Sequence, residues 1–176
     1  WLPDGRHIAF YAQDADGWRI YIIDSADANA QPELFYDEPH PIRDMQWSPD
    51  GSQIAYVSRH GGDADIFVMN EDGTKPRNLT SNREYADTSP AWSPDGAHIA
   101  FASDRDGDME IYVMRSDGTN IHQLTHNWDN EHFPVWSPDG NYIAFQSNRD
   151  GNDEIYVMRA DGTQATNVTN HPANDA

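Results

Sequence analysis

The sequence predicts an all-β fold that is built from four copies of one structural repeat. The segment Trp-Ser-Pro-Asp-Gly starts at Trp47, Trp92 and Trp136, and a variant with leucine in place of serine starts at Trp1. These tryptophans are 46, 45 and 44 residues apart, and short apolar runs follow each of them in the same order. Self-similarity at a fixed period is typical of proteins that stack one supersecondary unit many times.

Within each repeat, the apolar runs predict short antiparallel strands. In the third repeat, the run 99–101 follows the Pro-Asp-Gly turn, the run 111–114 follows a polar turn, and a last run ends at Leu124-Thr125. These runs are too short for helices, are rich in β-branched and aromatic residues, and are bounded by Gly and Asp. We expect four strands per repeat, the first of which ends at the tryptophan.

The weak alternation of the apolar runs indicates that both faces of each sheet are buried. Sheets stacked as blades around an axis bury both faces, whereas an isolated four-stranded sheet does not. The pattern therefore predicts a β-propeller with four blades per chain. The blades are assigned to residues 1–46, 47–91, 92–135 and 136–176, so that 1–176 is one propeller domain or half-propeller.

The two ends of the chain predict how such a ring closes. The chain starts at the last residue of an expected first strand, and residues 170–176 align with the linker that leads to the next one. This arrangement fits a closed four-bladed ring, a pair of chains, or a segment of a longer array. We expect a homodimer that completes an eight-bladed ring, because four wedges leave a tight axis and an open arc exposes strand edges and apolar faces.

The charge of the chain restricts its partners. It carries 30 Asp and Glu against 11 Lys and Arg, a formal net charge of −19. This charge repels phosphate backbones, which argues against nucleic acid, and attracts cations and basic patches on proteins. The chain has no cysteine, and no apolar run approaches the roughly 18 residues of a membrane helix, so we expect no membrane insertion.

Two recurrent sets of charged residues have a structural explanation. An Asp in a Pro-Asp-Gly turn caps its own backbone, so we expect no catalysis from Asp4, Asp50, Asp95 and Asp139. An arginine and an acid also bracket one hairpin turn in three repeats. Cross-strand ion pairs are expected there, as Arg59–Asp65, Arg105–Glu110 and Arg149–Glu154.

The sequence carries no motif that indicates catalysis, so we predict that the chain is not an enzyme. It has no G-x-S-x-G nucleophile motif, no phosphate-binding loop, and no H-E-x-x-H zinc motif. One alternative stays open. His40, His132 and His171 occupy similar linker positions in different blades, where three imidazoles could bind a transition metal.

The linkers that precede each tryptophan vary between repeats, and functional variation belongs on such loops. In a propeller they join the outer strand of one blade to the first strand of the next and lie on one face near the axis. They carry aromatic residues that suit a protein partner, namely Tyr36, Tyr85, Trp128 and Phe133. We predict that a protein partner binds at the channel mouth through Arg43, Asp44, Tyr85, Asp87, Glu131, His132, Phe133 and Asp175.

Four of these residues are acids from similar parts of the repeats and form a candidate metal site: Asp44, Asp87, Glu131 and Asp175. Like charges held together repel one another unless a cation joins them. Oxygen ligands without thiols favour a hard cation, and calcium accepts the loose geometry of a ring of loops. The alternative to calcium is that the acids are solvated and stay available for a basic partner.

At these motifs the sequence resembles the TolB-like β-propellers, whose blades carry a Pro-Asp variant of the WD-type repeat. The matching pattern W-S-P-D-G-x-x-I-A-F-x-S-x-R-D-G-x-x-E-I-Y-V-M-x-x-D-G-T is almost intact at 92–119 and 136–163, and the first repeat departs from it most. The resemblance implies a periplasmic or secreted protein-binding scaffold, and one family member binds a peptidoglycan-associated lipoprotein.

Two alternative functions also follow from this resemblance. Some relatives are metal-dependent lyases that act on pectin fragments. Others are non-catalytic propeller domains of larger proteins such as serine peptidases. Family rings usually have six or seven blades, and this chain departs from them in supplying four.

Overall fold

The computed structural model describes residues 1–14, 17–38, 40–60, 62–82 and 84–175, and every regular element within them is a β-strand. The strands are β1 (His7–Asp14), β2 (Gly17–Asp24), β3 (Glu33–Glu38), β4 (Ile42–Trp47), β5 (Gln53–Ser58), β6 (Asp65–Asn70), β7 (Arg77–Asn78), β8 (Asp87–Trp92), β9 (His98–Ser103), β10 (Glu110–Arg115), β11 (His122–Gln123), β12 (Glu131–Trp136), β13 (Tyr142–Ser147), β14 (Glu154–Arg159) and β15 (Thr166–Asn167).

The strands form four antiparallel sheets in chain order: β1–β3, β4–β7, β8–β11 and β12–β15. The expected four strands per repeat are present in the last three sheets, and β4, β8 and β12 end at Trp47, Trp92 and Trp136 as predicted. The first sheet has three strands. In the other three sheets the first strand consists of the six residues that end at the repeat tryptophan. In the first repeat that tryptophan is Trp1.

Each Pro-Asp-Gly turn is held by its own side chains, as expected. In the third repeat, the Ser93 hydroxyl donates to Asp95 at 2.6 Å, and the Ala97 amide donates to the same carboxylate oxygen at 3.0 Å. Gly96 follows with a φ of +69°, which glycine adopts without steric cost. The hydrogen bonds from Ser93 and Ala97 lower the pKa of Asp95, so this carboxylate is committed to the turn.

The first strand of each four-stranded sheet has a bulge that fixes the residue equivalence between repeats. The bulges contain Asp44, Ser89 and Phe133, whose φ angles are +52°, +53° and +52°. These three residues are therefore structurally equivalent. Asp44 lies two positions beyond Ile42, and Ile42 is the true equivalent of Asp87 and Glu131 at the start of the strand.

The core lies between the sheets, and the repeat tryptophans Trp47, Trp92 and Trp136 pack there. Trp92 is 6% exposed and lies among Ala55, Val57 and Val68 of the second sheet and apolar residues of its own sheet. Its indole nitrogen donates to the backbone carbonyl of Gln46 at 3.2 Å. The sheets therefore stack as blades. A sheet that has a neighbour on each side buries both of its faces.

The structure contains one copy of the chain, so an eight-bladed ring formed by two copies stays a prediction. Within the described part of the chain, no helix has the length and hydropathy that crossing a membrane requires.

Candidate functional site

Two groups of loops lie at opposite ends of the strands. We define the linker face as the linkers 79–82 with 84–86, 124–130 and 168–174 together with the hairpin turns 104–109 and 148–153. Because Asp87 pairs with Ser103, the end of β9 lies beside the start of β8, and the hairpin turn is therefore on the same side as the linker. The opposite turn face carries the Pro-Asp-Gly turns.

Two acids that were predicted at the channel mouth are instead buried in ion pairs. Asp87 and Glu131 are fully buried. Arg105 contacts Asp87 at 2.8 Å, and Arg149 contacts Glu131 at 3.0 Å. Each guanidinium group also stacks on aromatic rings of its own sheet, with Arg105 lying 4.7 Å from the ring centre of Tyr112. These acids fasten the first strand of a blade to its hairpin turn.

The predicted pairs Arg105–Glu110 and Arg149–Glu154 are therefore wrong. The arginines turn towards the first strand, because the acid there is buried and requires a positive partner. Glu110 accepts the backbone amide of Asn127 at 2.5 Å, and Glu154 accepts that of His171 at 2.9 Å. The acids of the third strand thus hold the linkers in place.

The predicted pair Arg59–Asp65 rests on a register that is off by one residue. Ser58 pairs with Asp65 as Ser103 pairs with Glu110, so His60, and not Arg59, is the equivalent of Arg105. In this sheet, the buried Ile42 stands where the later sheets have an acid. His60 packs its ring against Phe67 at 6.4 Å between centres.

The structure does not bring the four predicted calcium ligands together. Asp87 and Glu131 are held by arginines, and Asp44 lies on the bulge, where it accepts the Ser89 amide at 3.2 Å. Asp175 does match the register of Glu131, since its amide donates to Asp153 as that of Glu131 donates to Met109. Among the described residues, no group of three or more His, Asp or Glu is arranged to hold a metal ion.

The structure also does not bring the three linker histidines together. His40 packs against His60 with ring centres 4.5 Å apart, whereas His132 lies beside Phe133 and is half-buried. Burial lowers the pKa of His132. His171 is exposed and accepts the Ala173 amide through its ring nitrogen at 3.2 Å. Among the described residues, the three histidines therefore do not form the metal site that the lyase alternative requires.

A buried carboxyl pair anchors the linker between the third and fourth sheets. The Asn127 side-chain amide donates to Glu131 at 2.8 Å and to Glu110 at 3.4 Å. Burial and a hydrogen bond with Glu131 raise the pKa of Glu110 well above its ordinary value. Glu110 therefore holds its proton more tightly beside Glu131, and the Arg149 guanidinium donates to Glu131 at 3.0 Å.

Trp128 lies on this anchored linker and is 95% exposed. The residues beside it are fixed: the Asp129 amide donates to the Asn127 side chain at 2.9 Å, and the Asn130 amide donates to the Asn148 side chain at 2.9 Å. A large aromatic side chain is thus presented to solvent from an ordered loop. The sequence identified Trp128 as a linker aromatic but gave no sign that it differs from the other three.

The remaining predicted residues divide between two surfaces. Tyr85 is half-buried on the linker face, where a hydrogen bond with Glu84 raises its pKa. Arg43 is exposed on β4. Phe133 is exposed but lies on the outward face of the last sheet, in an apolar recess that it shares with Val135 and Ile155. The linker face is therefore centred on Trp128, and Phe133 belongs to a separate surface.

Comparison with known proteins establishes the family. The model of the TolB beta propeller domain matches residues 30–176. The chain belongs to the TolB β-propeller domain family. The resemblance found in the W-S-P-D-G repeats is thereby confirmed, as is the all-β propeller architecture.

Several TolB proteins are similar to this chain. The Tol-Pal system protein TolB of Alkalilimnicola ehrlichii is 36% identical over 68 residues, which are 38% of this chain and 16% of the relative. The putative TolB from Agrobacterium tumefaciens superposes with a TM-score of 0.85 at 29% identity, over 99% of this chain and 62% of that protein. The TolB-like chain thus spans less than two thirds of these relatives.

More distant structures share the fold alone. TolB from Acinetobacter baumannii has a TM-score of 0.84 at 24% identity, over 97% of this chain and 43% of that protein. An oligogalacturonate lyase in complex with manganese has a TM-score of 0.66 at 22% identity, over 88% of this chain and 43% of that protein.

Proposed function

We propose that this TolB-like chain is a protein-binding scaffold whose partner docks on the linker face around Trp128. The observation that carries the proposal is the exposure of this indole on a loop that buried acids hold in place. Tryptophan is enriched among the residues that dominate binding energy at interfaces. A loop that is already ordered loses little conformational entropy when a partner binds, which favours affinity.

The charge around Trp128 favours a partner with a basic patch. Burial raises the pKa of Asp108 on the linker face, and the negative charges of Asp106, Glu131 and Asp129 raise it further. Asp106 and Asp108 lie on the hairpin turn and Asp129 lies next to Trp128 on the linker, so these three acids give the linker face a negative potential. Such a field steers a positively charged partner surface to the site and excludes a negatively charged one.

The family supports both the type of partner and the compartment. The relatives are Tol-Pal system proteins, and we propose that this chain likewise acts in the periplasm as part of such an assembly. In this proposal a protein partner binds the linker face of the propeller. The strands form the rigid frame that holds the linkers in position.

A binding titration tests this proposal. The soluble domain of a peptidoglycan-associated lipoprotein is titrated into the wild-type chain and into Trp128→Ala. We expect binding by the wild type and a loss of affinity of about 30-fold or more in the variant, the usual effect of removing a dominant interface residue. Tyr142→Ala is the matched control, because it removes an exposed aromatic ring beside the turn face. Equal affinity of Trp128→Ala and the wild type would contradict the proposed site.

A further inference from the structure

A cleft opens on the turn face between the third and fourth sheets, at the opposite end of the strands from the proposed partner site. It has a volume of about 570 Å³ and lies between two Pro-Asp-Gly turns, with Asp95 on one rim and Asp139 on the other. Trp136 and Val113 give it apolar walls. The corresponding cleft between the second and third sheets measures about 370 Å³. The cleft between the third and fourth sheets is thus the roomier of the two, and its volume is typical of ligand-binding sites.

Two histidines of the third sheet face this cleft. Val113 pairs with Ala100 on one side and with His122 on the other, and His98 comes two residues before Ala100. These side chains therefore share one face of the sheet, the face that packs against the fourth sheet. Nδ1 of His122 donates to the Asn120 carbonyl at 3.3 Å, which leaves Nε2 as an acceptor. Within the described ranges, the imidazole of His98 makes no hydrogen bond.

Asp95 differs from the other aspartates of the Pro-Asp-Gly turns in one carboxylate oxygen. In the second repeat, the Ser52 hydroxyl donates to both oxygens of Asp50 at 2.9 Å. In the first and fourth repeats, a histidine and an asparagine side chain contact the second oxygen. The third repeat has Ala97 at the position of Ser52, so the turn uses Oδ1 of Asp95 and, among the described residues, no group donates to Oδ2. Since Ser93 and Ala97 lower the pKa of Asp95, this carboxylate is negatively charged.

We propose that this cleft binds an arginine side chain from an extended segment of a protein partner, with the guanidinium group on Oδ2 of Asp95. A guanidinium group carries five N–H donors in a planar fork, which suits a carboxylate oxygen beside imidazole nitrogens. The aliphatic stem packs along the apolar wall at Trp136. The same chemistry occurs inside this chain, where Arg105 contacts the carboxylate of Asp87 and stacks on an aromatic ring.

Charge selects a cation for this cleft. Carboxylates stand on both rims, and the chain carries a formal net charge of −19, so an anionic group is repelled. An arginine within a chain segment brings no carboxylate of its own, whereas free arginine does. The occupant is therefore a segment of a partner other than the one on the linker face, since the two surfaces lie at opposite ends of the strands.

A nuclear magnetic resonance titration with a capped peptide tests the cleft. The probe is a pentapeptide of glycine and alanine with one central arginine, acetylated and amidated so that the guanidinium group is its only charge. We expect millimolar affinity, with amide signals of residues 93–98 and 139–141 shifting and those of the hairpin turn 104–109 unchanged. The same peptide with neutral citrulline should bind at least about 10-fold more weakly, because charge-assisted hydrogen bonds are the stronger ones. Equal binding of the two peptides overturns the proposal.

Three variants examine the role of Asp95 in this titration. Asp95→Asn keeps Oδ1 for the turn and removes the charge, so we expect a loss of affinity of about 10-fold. Ala97→Ser keeps the charge but supplies the hydroxyl that Ser52 offers to Asp50, and about a three-fold loss is expected. Asp50→Asn is the matched control, since it removes the same charge from the same face and should leave the affinity unchanged. Equal affinities of Asp95→Asn and Asp50→Asn overturn the proposal, because long-range charge alone would then explain binding.

Two further arms separate this cleft from other sites and ligands. Trp128→Ala should bind the arginine peptide as the wild type does, so the cleft and the linker-face site stand or fall independently. Free arginine should bind more weakly than the peptide, because its carboxylate meets Asp95 and Asp139. Free arginine that binds as tightly as the peptide overturns the assignment of a protein segment. Shifts confined to 104–109 and 124–130 overturn the assignment of the cleft.

Discussion

Replacing Trp92 by alanine tests whether the repeat tryptophans hold the blades together. Trp92 is 6% exposed between the second and third sheets, and its indole donates one hydrogen bond to the backbone of Gln46. Removal of a buried large aromatic side chain typically costs about 3–5 kcal/mol, of which one neutral hydrogen bond accounts for about 1 kcal/mol. Trp128 is 95% exposed, so Trp128→Ala is expected to change the unfolding free energy by less than about 0.5 kcal/mol.

Urea denaturation followed by far-ultraviolet circular dichroism measures both variants in one assay. We expect the midpoint of Trp92→Ala to fall markedly while the slope of unfolding free energy against urea stays close to the wild-type value. The comparison is between two identical substitutions that differ in burial alone. A loss below about 1 kcal/mol for Trp92→Ala would refute the packing argument, and so would an equal loss for Trp128→Ala.

Three further predictions follow from individual contacts. Burial raises the folded-state pKa of Glu110 above its ordinary value of 4.5. Protonated Glu110 therefore stabilises the fold fully below pH 4.5, and this stabilisation is lost as the pH rises towards the folded-state pKa. Glu110→Gln should remove this loss in thermal melts from pH 5 to 8, and an unchanged pH profile would contradict it. Arg149→Met leaves a buried carboxylate unpaired and should cost about 3 kcal/mol in urea, whereas a neutral result would show that the pair is dispensable. Gly162→Ala should destabilise more than Gly151→Ala in the same assay, because both have positive φ but only the first places a Cβ 2.8 Å from the Leu124 carbonyl; equal effects would contradict this.

The strands and the blade order could be predicted because their signals are local. The period of the Trp-Ser-Pro-Asp-Gly segments marks the repeats, and the turn chemistry of Asp95 and Gly96 is contained within five residues. The packing of Trp92 between sheets also follows from the phase of the repeat. Each of these features depends on neighbours in sequence that are the same in every copy.

The ion pairs and the candidate site depend on register across strands, which the sequence does not display. Arg105 and Glu110 bracket one turn, yet the guanidinium group turns to Asp87, eighteen residues earlier, because Asp87 is fully buried on the adjacent strand. The bulge at Asp44 shifts this residue out of line with Asp87 and Glu131, so the expected ring of acids does not form. The partner of each arginine and the position of each acid therefore depend on how the strands pair in three dimensions.

Trp128 shows a second limit of sequence reasoning. Four linker aromatics have the same local appearance, but only the contacts of Asn127 with Glu110 and Glu131 reveal that this linker is anchored on both sides of an exposed indole. Phe133 was predicted beside it, and the bulge in β12 directs it to the outward face of the last sheet instead.

The central claim is that a protein partner contacts the linker face, and amide hydrogen exchange of the chain with and without partner tests it most directly. With the lipoprotein domain bound, we predict slower exchange in the linker 124–130 and the hairpin turn 104–109, which surround Trp128. The Pro-Asp-Gly turns at 93–97 and 137–141 lie at the other end of the same strands and should exchange at unchanged rates. Protection confined to the Pro-Asp-Gly turns, with no change around Trp128, would contradict the account.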